Sequence, residues 1–88
     1  MKINFTTHIW KERNTYVAFV PELDVSSCGR SVAEAREQVE EAVEGFLDAA
    51  RAHGSLAEIL EEAGFTKASR AIWQAPEIVA TERMQLAF

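Results

Sequence analysis

The chain has 88 residues, 48 % hydrophobic and 26 % charged, enough for one compact domain and too few for two separate cores. Its net charge of −5 repels phosphate backbones, which argues against direct DNA or RNA binding and favours a basic protein as partner. One cysteine excludes an internal disulfide, and with two distant histidines it makes a poor metal site, so no cofactor is expected.

Residues 2–10 alternate, with Ile3, Phe5, Thr7 and Ile9 on one face and Lys2, Asn4, Thr6 and His8 on the other. This start lacks the continuous apolar stretch of a signal peptide. No later run reaches the about 20 apolar residues that cross a bilayer, so the expected location is cytoplasmic and away from membranes. Lys11-Glu12-Arg13-Asn14 reads as a hairpin turn. Residues 15–20, rich in β-branched and aromatic types, read as a second strand ended by Pro21. A third short strand is expected over residues 24–29.

The period then changes. Ser31 with Glu34 fits a capping box, in which serine caps a free amide and the glutamate reaches back to the cap residue. Val32, Val39, Val43, Phe46 and Ala50 form an apolar stripe over about five turns, and Glu37, Glu41, Glu44 and Asp48 fall near the opposite side. Gly54 suits the end of this helix. Ser55 with Glu58 opens a second one, which carries Leu56, Ile59, Leu60 and Ala63 and stops at Gly64. Residues 66–76 show no period and read as a loop closed by Pro76. Residues 77–88 alternate again, with Ile78, Ala80, Met84, Leu86 and Phe88 on one face, interrupted by Glu82, and predict a last strand. The expected fold is α+β in the order β-β-β-α-α-β. A three-stranded antiparallel meander packs on one long and one short helix, all within a single domain 1–88 that includes a C-terminal strand extension 77–88.

Tyr16-Val17-Ala18-Phe19-Val20-Pro21-Glu22-Leu23 resembles the strand and "PEL" segment of HicB-like antitoxins. Ser27-Cys28-Gly29-Arg30-Ser31 stands where that family has a "GC…G-[ST]" segment. Ser31-Val32-Ala33-Glu34-Ala35 looks like its "T-x-E-E-A" helix start, with Ala33 at the usual first Glu. The resemblance covers roughly residues 3–64. It implies a partial ribonuclease-H-like fold and a role in binding and silencing a small HicA-like toxin that cleaves mRNA. Many such antitoxins add a C-terminal DNA-binding module. After Gly64 this chain offers one predicted strand and no pair of helices, which again argues against DNA binding.

Several residue groups are candidates for contact with a partner. The acidic stripe Glu37, Glu41, Glu44 and Asp48 is a solvated helix face that can also steer a basic protein. Glu22 and Asp24, in a Pro-led turn at a strand end, can pair with a partner's Lys or Arg. Ile78, Met84 and Leu86 leave an apolar pairing edge at the chain end, suited to a homodimer or higher homo-oligomer. Cys28 is expected to be buried, and Trp10 and Trp73 to anchor the core or an interface. A two-metal nuclease needs carboxylates converging on ions about 4 Å apart. Here Glu12, Glu22 and Asp24 fall at turns and no strand interior holds an Asp, so no enzymatic activity is expected. The reading is an antitoxin-like protein that binds a HicA-like toxin. The alternative is an orphan dimeric interaction module of the same fold.

Overall fold

A computed structural model describes residues 1–88. Eight elements follow in chain order: β1 (Lys2–Asn4), β2 (His8–Glu12), β3 (Thr15–Val20), β4 (Val25–Gly29), α1 (Val32–Ala52), α2 (Leu56–Glu62), β5 (Thr66–Ser69) and β6 (Ile72–Gln74). The fold is α+β, with the strands in two three-stranded sheets ordered β2-β3-β4 and β1-β6-β5. The first is the expected antiparallel meander, with Ile9 opposite Ala18 and Val17 opposite Cys28. Its first turn tightens to Arg13 and Asn14, with Arg13 at φ +56° at the first turn position, as two-residue hairpins require.

The N-terminal run is not one strand. It breaks at Phe5–Thr7, and its two halves serve different sheets: β1 pairs with β6 in parallel, β2 with β3 antiparallel. At the break the Thr6 amide leaves the ladder and donates to Glu22 Oε1 at 3.1 Å, so this backbone donor stays satisfied. Ile3, Phe5 and Ile9 still pack against the core, as their alternation predicts.

Helix α1 starts at Ser31, whose Oγ accepts from the Glu34 amide at 3.1 Å. The Glu34 carboxylate accepts from the Arg30 amide, one residue before the cap, where the sequence pointed to the cap residue itself. The stripe it buries is Ala35, Val39, Val43 and Ala50. Val32 and Phe46, expected inside, are exposed. The helix outruns its sheet at its start: 21 residues span about 31 Å, while five- and six-residue strands span about 17–20 Å, so Val32, at the first helical position, emerges past the cover.

Both helices close on left-handed glycines. Gly54 at φ +74° and Gly64 at φ +89° let the next amides turn back, Ser55 to Ala50 and Phe65 to Leu60, each at 2.9 Å. In the second closure Leu60 and Phe65 are themselves core residues, joining Ala18, Val20, Val39, Val43 and Trp73. The expected second capping box does not form: the Ser55 hydroxyl donates back to the Ala50 carbonyl, because the link from α1 is so short that this carbonyl is its nearest acceptor.

Two C-terminal readings are corrected. Residues 66–76, read as a loop, contain the β5–β6 hairpin. Four- and three-residue strands with a register shift between Lys67 and Ser69 are too short and irregular to show a period. Residues 77–88, read as the last strand, form no strand, and all are exposed. Ala75 makes the last ladder bond, to the Asn4 carbonyl. Pro76 has no amide to donate, and the residues after it pair with none of the outer strands β1, β2, β4 and β5. The strand that closes the small sheet is β6.

Candidate functional site

Helix α1 presents Glu37, Glu41, Glu44 and Asp48 to solvent, all on the side turned away from its buried stripe. Successive spacings of four, three and four residues keep the carboxylates within about 60° of one another. Only Asp48 has a cationic partner, Arg51 Nη2 at 2.7 Å, one turn away. The other three carboxylates form no ion pair. Glu44 also borders a groove of about 410 Å³ between β1 and α1, beside Ile3, Phe5, Val43, Leu47 and Glu40. Asp48 and Arg51 border an adjoining one of about 220 Å³.

The turn residues have different roles. Glu22 is half-buried, and its carboxylate is committed to the Thr6 amide, so it braces the β1–β2 break. Asp24 is exposed at φ +54°, on the last residue before β4. Glu22 and Asp24 therefore do not act as a matched pair of free carboxylates. Nowhere do three His, Cys, Asp or Glu side chains converge closely enough to hold a metal ion. No helix is long and apolar enough to cross a membrane.

Ile78, Met84 and Leu86 sit on the unpaired C-terminal arm. Met84 and Leu86 are each 83 % exposed. Cys28, expected inside, is exposed, because it alternates onto the outer face of the meander opposite Val17. That face also carries Trp10 and Phe19, whose rings meet edge to face at 6.4 Å, and Trp10 is 42 % exposed. The cluster was missed as a unit. Its signal is in Tyr16-Val17-Ala18-Phe19-Val20, which is apolar on both faces, the pattern of a strand covered on both sides. Trp73, by contrast, is buried in β6 beneath the Lys67 ammonium, 5.4 Å from its ring centre.

No protein-family model, curated protein or solved structure matches the chain.

Proposed function

We propose that this chain is an antitoxin-like binding protein that covers a small, basic, HicA-like mRNA-cleaving toxin and performs no chemistry itself. One observation carries the reading: the acidic face of α1, in which Glu37, Glu41 and Glu44 form no ion pair within the chain. Like charges left unpaired along a rigid helix raise the local concentration of a cationic partner and orient its approach. Asp24, exposed at the end of the Pro21–Asp24 turn, adds a carboxylate for a partner's Lys or Arg, whereas Glu22 supports the turn from within. The resemblance at residues 16–35 names the class of partner. In this reading the chain works in the cytoplasm as a homodimer or higher homo-oligomer, with Ile78, Met84 and Leu86 in the subunit interface.

The test is co-purification with a short basic protein encoded beside this chain, followed by rescue from that protein's toxicity and by association kinetics. Glu41→Lys with Glu44→Lys should slow association at least tenfold at low salt and flatten its salt dependence, since steering accounts for factors of about 10–1,000. An unchanged on-rate at low salt removes the helix face from the interface. Failure to rescue overturns the antitoxin reading.

A further inference from the structure

Two apolar surfaces of this chain lack partners. One is the arm, residues 77–88, which makes no hydrogen bond to the body and places Met84, Leu86 and Phe88 in solvent. The other is the outer face of the meander, with Val17 and Phe19 on its central strand, Trp10 beside them on β2 and α1 on the opposite side. We infer that two copies exchange arms, the arm of each lying across the Trp10–Val17–Phe19 face of the other. This deepens the homo-oligomer reading by naming where the arm is seated, and it does not depend on any toxin.

The amount of exposed surface is the first argument. The chain exposes 6885 Å², about 1,700 Å² more than a compact monomer of its mass, for which about 5,200 Å² is expected. Its radius of gyration is 14.9 Å, against about 12 Å for a compact chain of this length. A stable interface buries about 800 Å² from each partner. Covering one arm and receiving another removes an area of that order from each copy.

Shape is the second argument. The arm alternates, with Ile78, Ala80, Met84, Leu86 and Phe88 on one side, interrupted by Glu82, and mostly polar residues on the other, so the extended Met84–Phe88 stretch lays an unbroken apolar edge on a flat surface. The meander offers such a surface, and β3, apolar on both faces, is built as a strand with cover on both. A half-exposed tryptophan, here Trp10 on the outer strand β2, is the residue type that most often dominates interface energy. Within one copy the arm leaves the body at Pro76, and its own face stays open.

Cys28, the only cysteine, lies on that face directly across from Val17 and reports on its cover without any substitution. The experiment measures, on the full chain, mass by sedimentation and the rate of Cys28 reaction with a thiol reagent, both over a dilution series. The expected result is a dimer whose Cys28 reacts at least fivefold more slowly than in the dilute monomer, the two transitions coinciding. Met84→Asp with Leu86→Asp, at positions without intrachain contacts to lose, should stay helical by circular dichroism, run as a monomer and react at the fast rate. A monomer at every concentration overturns both the arm exchange and the homo-oligomer reading, including the case in which Cys28 is slow because the arm folds back on its own face. A dimer that survives the double substitution overturns the role of the arm. A dimer that needs the arm but leaves Cys28 fast places the arm elsewhere and overturns the seat alone.

Discussion

The two sheets are held to the molecule in opposite ways. In the meander half, β4 and α1 meet backbone to backbone: a methyl group on Gly29 would stand 2.6 Å from the Ala35 nitrogen. In the small-sheet half, β1, β6 and β5 are pinned by side chains, chiefly Trp73 of β6 with Leu60 and Phe65 behind it. One half therefore has no room to add atoms, and the other has few anchors to lose. The sharpest break is Trp73→Ala, which should cost about 3–5 kcal/mol as a cavity opens under the parallel β1–β6 pair. For a domain of this size, whose whole stability is about 4–13 kcal/mol, that is enough to unfold much of the population. Urea denaturation measures it, and a loss under 1 kcal/mol would show that the small sheet is held by something other than this ring.

Gly29→Ala attacks the other half by addition. The new methyl meets the backbone of Glu34 and Ala35, which cannot rotate away as a side-chain tip could, so α1 must lift from β4. The expected loss is about 3 kcal/mol, at the upper end of ordinary overpacking. Gly45 supplies the control within the same half. It lies inside α1 with nothing within 4 Å of an added methyl, so Gly45→Ala should stabilise by about 1 kcal/mol and raise the Tm. Equal effects of the two alanines would mean that the close approach at Gly29 does not constrain the fold.

The same contrast explains what was legible in the sequence. The meander and α1 announce themselves because each element is long enough to show its period and ends in recognisable punctuation at Pro21, Ser31 and Gly54. The small sheet hides because β1, β5 and β6 have three or four residues each, the β5–β6 hairpin is irregular, and β1 pairs with β6 about 70 positions away, as Ile3 does with Trp73. The arm shows the limit of alternation. Periodicity tells which side of a segment is apolar, and a strand forms only where the segment pairs with an edge, which the arm does not do within its own chain. For the candidate site, the acidic stripe of α1 was legible from spacing alone. The commitment of Glu22 to Thr6 was not, because it depends on a break within a run that alternates without interruption.

The two serines that open the helices give the finest comparison. Both stand three residues before a glutamate, Ser31 before Glu34 and Ser55 before Glu58, and local sequence does not distinguish them. Only Ser31 caps its own helix. Ser55 serves the helix before it, where its amide and the Gly54 amide already satisfy the last carbonyls. Ser31→Ala should therefore cost about 1 kcal/mol, the usual loss of an N-cap. Ser55→Ala should cost only a few tenths, since its hydroxyl adds a second, longer bond of 3.3 Å to a carbonyl that keeps its backbone donor. Thermal denaturation of the two variants side by side resolves the difference. Equal losses would mean that Ser55 does cap α2 in solution, and that the short link between the helices opens enough for its hydroxyl to turn forward.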